Sequence, residues 1–301
     1  MDEFFAAIEA GNTAAVRVFL ERDSSLANAV KILTSRPKPN QEEEDVRCGS
    51  GLPRKPLPPA KPRPPFTNTA LQTAVKRKHL DIVRLLLEFG ADVNSTTEQQ
   101  STALLVAMYS HEPNLDLIRL LVESGADVNA RDSSNDTPLH TAFRWHWDSL
   151  PAVELLLAHG SEVNTRGQQG RTPLDRALLH LASPAINHRR LIGTLLRRGA
   201  NPNPPRLDEK DPGNPLCMAV RSGNVTIARM LIEAGADVNA ADSWATPLTC
   251  AAEKGSDQIV ELLLHAGADP SVHDPRGRLA IDLVEPLEEM MNEFERLLEQ
   301  R

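Results

Sequence analysis

Residues 80–102 read LDIVRLLLEFGADVNSTTEQQST, and altered copies of this stretch recur along most of the chain. Three full copies of the segment Gly-Ala-Asp-Val-Asn and three looser ones follow one another at Gly90–Asn94, Gly125–Asn129, Gly160–Asn164, Gly199–Asn203, Gly235–Asn239 and Gly267–Ser271. Their glycines are 35, 35, 39, 36 and 32 residues apart. Such spacing indicates a stack of similar units that bury one continuous core.

A second motif precedes each of these segments. Thr-Pro-Leu-His stands in full at Thr137–His140, and shorter or altered forms begin at Thr69, Thr102, Thr172, Asn214 and Thr246. A period near 33 residues together with this tetrapeptide is the ankyrin signature. The chain resembles the ankyrin-repeat family over nearly its whole length. The resemblance implies a mainly α fold: an ankyrin-repeat solenoid of helix–turn–helix units with protruding β-hairpin loops, about seven repeats and a C-terminal capping helix.

Each unit carries the same local signals. Threonine is a good N-cap and proline a good first helical residue, while the second helix shows apolar residues at i, i+3 and i+4, as in Ile82, Leu85 and Leu86. Glycine follows each second helix, where a left-handed cap favours a residue without Cβ. The asparagine that ends each segment is predicted to be buried and to hold the turn backbone.

Three regions follow from these patterns. Residues 1–33 are predicted to form a divergent N-terminal ankyrin repeat, residues 34–66 a Pro-rich and disordered insertion, and residues 67–301 the ankyrin-repeat array with its C-terminal cap. The insertion carries an acidic run at Glu42–Asp45 and too few apolar residues to form a core. Its segment Pro56–Lys61 has the PxxPx[K/R] form that SH3-type domains accept; the alternative is a solvated spacer.

Composition excludes several classes of function. The formal net charge of −8 argues against non-specific binding to nucleic acid or to anionic lipid. Cys48, Cys217 and Cys250 are too few and too scattered for a disulfide framework. Met1–Glu3 supplies no basic n-region and no long apolar run follows, so we expect neither a secretory signal nor a transmembrane span. We therefore expect a soluble monomer of a reducing compartment, either cytoplasmic or nuclear.

No motif predicts catalysis. His140, His146 and Asp148 are the tightest group of possible metal ligands, but no third nitrogen or sulfur ligand has the required spacing. His140 occupies a motif position that the family uses for structural hydrogen bonds. No nucleophile elbow, zinc motif or phosphate loop occurs. The sequence therefore predicts a protein without catalytic residues, metal or cofactor.

Binding is the function that the predicted geometry offers. Residues two or three places beyond the small alanine of each first helix, and residues of the hairpins, should line a concave groove. The basic and aromatic members of this set, predicted to bind a partner, are Lys76, Arg77, Tyr109, Arg131, Arg144, Trp145, Arg166, Arg171, His180, Arg221 and Trp244.

Three functions fit such a groove. The first is a non-catalytic scaffold or adaptor that binds an acidic or phosphorylated segment of a partner protein. The second is a regulatory inhibitor that masks the surface of an enzyme or transcription factor. The third, least supported by the residues, is an enzyme with an unrecognised site.

Overall fold

We describe the fold from a computed structural model, whose described residues are 1–33, 66–96, 100–144, 149–179, 181, 188–205 and 214–283. The helices within these ranges are α1 (Asp2–Glu9), α2 (Thr13–Arg22), α3 (Ala70–Lys76), α4 (Leu80–Glu88), α5 (Ala103–Met108), α6 (Leu115–Glu123), α7 (Pro138–Thr141), α8 (Leu150–Ala158), α9 (Pro173–Leu179), α10 (His188–Arg197), α11 (Pro215–Arg221), α12 (Val225–Glu233), α13 (Pro247–Lys254) and α14 (Asp257–His265). Two strands, β1 (Val30–Leu33) and β2 (Phe66–Thr69), lie between α2 and α3.

The helices form two layers. Each odd-numbered helix packs on the even-numbered helix that follows it and on the next odd-numbered helix, and each even-numbered helix packs on the next even-numbered one. We call the two sets first helices and second helices. Each first helix and the second helix after it form one repeat, so that α1 and α2 belong to repeat one, α3 and α4 to repeat two, and α5 and α6 to repeat three. Leucine, isoleucine, valine and alanine side chains between the layers form one continuous core from Phe4 to Ala280. This arrangement confirms the predicted ankyrin solenoid.

The first helices begin as their motifs predict. Thr69 and Gln72 form a reciprocal capping box, in which each side chain accepts a hydrogen bond from the backbone N–H of the other at 3.1 Å. Thr246 and Thr249 form an equivalent box in a later repeat. These caps satisfy backbone N–H groups that have no partner within the helix.

The glycine after a second helix is required by its backbone conformation. Gly125 and Gly235 have φ angles of +88° and +89°, and no atom lies within 4 Å of the position that a Cβ would take. We expect Gly125→Val or Gly235→Val to lower the free energy of unfolding by roughly 1–2 kcal/mol, because a β-branched residue is strained at positive φ. Asparagine at the same positions should cost clearly less, since it tolerates this region. Chemical denaturation of the four variants checks both statements; equal losses for valine and asparagine would contradict the conformational explanation.

Asparagine side chains join the loops of neighbouring repeats. The Asn129 Nδ2 donates to the Gly160 carbonyl at 3.1 Å, and its Oδ1 accepts from the Glu162 N–H at 2.9 Å. The same pair of bonds to the next repeat is made by Asn28, Asn94, Asn164 and Asn203. The prediction that this asparagine is buried is wrong, since none of the five is buried. They lie at the loop edge of the stack, and the backbone that each one holds belongs to the following repeat.

The first repeat docks directly on the second. Strands β1 and β2 are antiparallel, with Val30 opposite Thr69 and Leu33 opposite Phe66. Helix α1 packs on α3, and α2 packs on α4. Phe66, the last residue of the predicted insertion at residues 34–66, belongs instead to strand β2 of this hairpin. Residues 34–65, which include the Pro56–Lys61 segment, lie outside the described residues.

The remaining hairpin loops are short hydrogen-bonded turns in the described part of the chain. The Asp132 N–H donates to the Asp136 carbonyl at 3.0 Å, and the Asp242 N–H donates to the Ala245 carbonyl at the same distance. After α14 the described chain ends in a 3-10 helix at Ile281–Leu283, which packs against α13. The predicted capping helix beyond Pro286 lies outside the described residues.

Candidate functional site

The candidate site is the surface lined by the C-terminal ends of the first helices and by the hairpin loops that follow them, here called the first-helix groove. Tyr109 is the C-cap of α5 and is half-buried there. Its hydroxyl donates a hydrogen bond to Oδ2 of Asp132, in the hairpin of the same repeat. Burial, together with this bond to a carboxylate, raises the pKa of Tyr109 above its ordinary value. The ring is therefore a fixed, neutral part of the groove surface.

Arg144 extends this cluster from the next repeat. Its guanidinium carbon lies over the Tyr109 ring, 5.3 Å from the centroid, in a cation–π arrangement. Arg144 is exposed. The structure thus brings together two of the predicted binding residues, and the charged group of this pair faces solvent.

A second cluster combines Arg221 and Trp244. Arg221, at the end of α11, forms an ion pair with Oδ2 of Asp242, whose side chain is fully buried. The same guanidinium lies 5.8 Å from the centre of the Trp244 ring. Trp244 is 48% exposed, one of the few large apolar side chains in the described chain that face solvent. Here the arginine holds the hairpin and the tryptophan forms the accessible surface.

The hairpin arginines bond to neighbouring loops. Arg131 Nη1 donates to the Arg166 carbonyl at 3.0 Å, and Arg166 Nη1 donates to the Gly170 carbonyl at 2.7 Å. Arg166 Nη2 also bonds to the Pro205 carbonyl, one repeat further on. Their side chains therefore stabilise the row of loops, and their predicted role in binding a partner remains a proposal.

A buried polar cluster lies beneath these loops. Arg176 pairs with Asp136 at 2.9 Å, with 14% and 2% of their side chains exposed. The Arg171 carbonyl accepts a hydrogen bond from His140 Nε2 at 3.1 Å, while His140 Nδ1 accepts from the Thr137 N–H at 3.2 Å. The bonds of His140 agree with the structural role that the family resemblance implies for this position.

His140 should make stability depend on pH. Burial lowers the pKa of His140 below its ordinary value, although the nearby Asp136 carboxylate acts in the opposite direction. Because the unfolded chain then takes up the proton first, stability is complete above about pH 6.5 and falls as the pH decreases below that value. His140→Gln removes the titrating ring. It also introduces the residue type that occupies the same capping-box position in repeat two, Gln72. Urea denaturation between about pH 7.5 and about pH 5 should show a smaller loss of stability for this variant than for the wild type. Parallel curves for the two proteins would contradict the prediction.

A cavity of about 610 Å³ opens in the groove between repeats two and three. Buried apolar side chains form part of its lining, namely Val75, Ala107 and Leu117. Exposed or half-buried polar side chains also line it: Lys76, Lys78, Tyr109, Ser110, His111 and Glu112. The volume lies in the range that binds a large side chain or a small ligand.

Three predicted residues reach this cavity or its surroundings. Lys76 and Tyr109 line it, and Arg77 is an exposed neighbour at the C-cap of α3. Trp145 and His180 lie outside the described residues.

Sequence reasoning missed Lys78 and His111, which also line the cavity. Lys78 follows directly after two predicted basic residues, and its φ of +60° sets its side chain in a turn that helical periodicity does not describe. His111 lies in the longer loop of repeat three. The sequence shows that this loop is extended, but it does not show that the loop borders a cavity.

Other chemistry has little support in the described residues. No group of three or more His, Cys, Asp or Glu side chains within them is arranged to hold a metal ion. Cys217 and Cys250 are buried free thiols, and burial raises the pKa of both, which disfavours the reactive thiolate. None of the helices in these ranges combines the length and apolar character needed to cross a bilayer.

The comparisons with known proteins agree with this architecture. The chain is 26% identical to the human ASB11 ankyrin repeat domain, over 72% of this chain and 92% of that one, with a TM-score of 0.55. It is 29% identical to an ankyrin repeat domain from Acinetobacter baumannii, over 66% and 98% of the two chains, with a TM-score of 0.58. The ankyrin repeat domain of Bcl-3, a member of the IkappaB family, shares the fold at 23% identity, over 76% and 98%, with a TM-score of 0.59.

No curated protein sequence matches the chain. The family model for ankyrin repeats in three copies matches residues 28–132, 112–205 and 179–274, which together span most of the sequence. The protein therefore belongs to the ankyrin-repeat family.

Proposed function

We propose that this protein is a non-catalytic adaptor whose first-helix groove binds an extended acidic segment of a partner protein. Ankyrin repeats generally mediate protein–protein interactions. The observation that carries the proposal is the cavity between repeats two and three, which has an apolar floor and lysines at its rim.

The shape of the cavity supports an anchoring role. Its wall includes Ser110 and Asn114, which belong to the six-residue connection between α5 and α6. The corresponding connection between α3 and α4 in repeat two has three residues. The longer loop therefore encloses space that a regular repeat leaves open. An apolar side chain that enters it would bury its surface against Val75 and Leu117, in the manner of an interface hot spot.

The charged side chains around the cavity indicate the sign of the charge that a ligand should carry. Lys76 and Lys78 are exposed at the rim, Arg77 lies between them in sequence, and Arg144 is exposed over Tyr109 one repeat further. Glu112 is the acidic side chain among the described lining residues. A segment with carboxylates beside an apolar residue would complement both features, and charge complementarity favours the correct partner and a fast encounter.

Selection of short peptides displayed on phage tests this chemistry. We expect wild-type protein to enrich sequences in which Asp or Glu flanks an apolar residue. Lys76→Glu combined with Lys78→Glu should weaken the binding of the selected peptides by about tenfold or more. The control, Arg84→Glu combined with Arg229→Glu, changes the same number of exposed charges on second helices, away from the first-helix groove, and should bind as the wild type does.

The result also distinguishes the alternative role. An inhibitor that masks a folded surface would enrich no short peptide in this selection. The variant with Lys76→Glu and Lys78→Glu would nevertheless fail to bind the folded partner of such an inhibitor. Enrichment of basic peptides, or equal binding by the charge-reversal and control variants, would contradict the proposed site.

A further inference from the structure

Helix α10 differs in charge from the other second helices. Residues 188–198 read HRRLIGTLLRR and contain four arginines and no acidic residue. Every other second helix in the described chain, from α2 to α14, carries at least one Asp or Glu. In a protein with a formal net charge of −8, this local excess of positive charge identifies a separate surface. It lies on the layer opposite the first-helix groove.

The basic surface contains a groove of about 580 Å³. Its lining comes from three neighbouring second helices: Glu154 on α8, Arg189, Arg190, Thr194 and Arg197 on α10, and Met230 on α12. Arg197 Nη2 donates to the Thr194 hydroxyl at 3.0 Å, which holds the guanidinium along the helix.

Gly193 lies beside two of the side chains that line this groove. A Cβ at Gly193 would lie 3.1 Å from Met230 Cε and 3.3 Å from Arg197 Nη1. An alanine here would therefore require the end of the arginine or of the methionine side chain to shift by a few tenths of an ångström. The glycine has a φ angle that other residues also adopt, so space and not backbone conformation accounts for its presence here.

The charge of the groove fits a phosphate group. The lining residues include three arginines and one carboxylate, that of Glu154, so cations outnumber anions among them. A phosphomonoester carries about −1.5 to −2 at neutral pH, whereas a carboxylate carries one charge. All the cations are arginines, whose planar donor groups bind phosphate oxygens in pairs. The charge of the groove therefore favours phosphate over carboxylate, and the donor groups of the arginines suit a phosphate.

The layout indicates that the phosphate belongs to a protein segment. Arg189 and Arg197 are eight residues apart on α10, which separates their Cα atoms by about 12 Å along the helix. The groove also continues from α8 across α10 to α12. A site of this extent suits a chain that crosses the helices. We propose that this groove, here called the α10 groove, binds a phosphoserine- or phosphothreonine-containing segment of another protein, independently of the first-helix groove.

Fluorescence anisotropy tests the proposal with a defined probe. The probe is a fluorescein-labelled peptide of glycine and serine with one central phosphoserine, compared with the same peptide without phosphate and with inositol hexakisphosphate as a competing free anion. We expect the phosphopeptide to bind roughly tenfold more tightly, or better, than the unmodified peptide. Combining Arg189→Gln, Arg190→Gln and Arg197→Gln should remove this preference.

Matched variants complete the experiment. The control combines Arg84→Gln, Arg119→Gln and Arg229→Gln, three exposed arginines on other second helices that do not line the groove, and it should keep the wild-type affinity. Lys76→Glu with Lys78→Glu should keep it too, which separates this site from the proposed function. Circular dichroism melting verifies that each variant is folded.

Four results would overturn the proposal. The first is equal binding of the two peptides, and the second is wild-type affinity in the triple variant of α10. The third is loss of phosphopeptide binding in the Lys76 and Lys78 variant, which would place the site in the first-helix groove. The fourth is binding of inositol hexakisphosphate without binding of the phosphopeptide, which would indicate a site for small anions.

Discussion

Replacing Asp242 by alanine is expected to lower the free energy of unfolding by about 2–3 kcal/mol. The Asp242 side chain is fully buried, and its Oδ1 accepts hydrogen bonds from the N–H groups of Trp244 and Ala245 at 2.8 and 2.9 Å. Its Oδ2 binds Arg221. Alanine would leave two backbone donors without this acceptor, the buried N–H of Ala245 and the partly buried N–H of Trp244. The arginine contributes less to the cost, because 31% of its side chain is exposed and water can solvate it.

Asp242→Asn provides the matched control. Asparagine keeps one carbonyl oxygen at the Oδ1 position and removes the charge that pairs with Arg221, so we expect a loss of only about 1 kcal/mol. Guanidinium denaturation of both variants measures the difference. If alanine and asparagine destabilise the protein equally, the ion pair rather than the two backbone bonds accounts for the role of Asp242.

The contacts of Asp242 and Asp132 also show what the sequence alone could not reveal about the groove. Helical spacing correctly places Tyr109 and Arg221 at the loop end of their first helices. It does not show where the tips of long side chains go, and both tips bond to a hairpin aspartate, Asp132 or Asp242. The sequence does contain a signal for these contacts. Each aspartate stands three residues after the asparagine that recurs from repeat to repeat, Asn129 or Asn239 here.

The fold was predictable because its signals are local and repeated. Threonine caps, cap glycines and the 3.6-residue apolar period each act within one unit, and their recurrence fixes the stacking. The asparagine bonds were predicted less well, because the partner of Asn129 lies in the next repeat, at Gly160 and Glu162. Such a contact follows only from the distance between stacked loops, which no single repeat encodes.

The candidate site was predictable only in part, for a related reason. Cavities arise where a repeat departs from the regular pattern, as at residues 109–114 and at Gly193. The sequence marks the first departure as a longer connection, but the volume enclosed depends on how the neighbouring helix packs. The α10 groove shows the reverse case: its arginines are plain in the sequence, and only the packing of α8 and α12 beside them makes a binding surface.

Replacing residues 34–65 by the dipeptide Asn-Gly is expected to stabilise the protein by roughly 2 kcal/mol. Leu33 and Phe66 are directly opposite each other in the β1–β2 hairpin, so a two-residue turn can join them, and Asn-Gly is the preferred sequence for such a turn. The natural connection, residues 34–65, is sixteen times as long as this dipeptide. Each halving of a flexible loop lowers the entropy cost of closing it by about 0.6 kcal/mol, and four halvings separate the two lengths. The composition of residues 34–65 predicts a flexible insertion, to which this relation applies.

A third protein separates loop length from loop sequence. It carries a glycine–serine linker of the natural length in place of residues 34–65, and it should unfold at the same denaturant concentration as the wild type. The docking of repeat one does not depend on the insertion in this view, because Asn28 bonds to Gly90 and Asp92, and α1 packs on α3, whatever joins the strands. If the glycine–serine protein is less stable than the wild type, residues 34–65 make stabilising contacts with the array. The region is then part of the folded unit, and the division of the chain at residues 34–66 has to be abandoned.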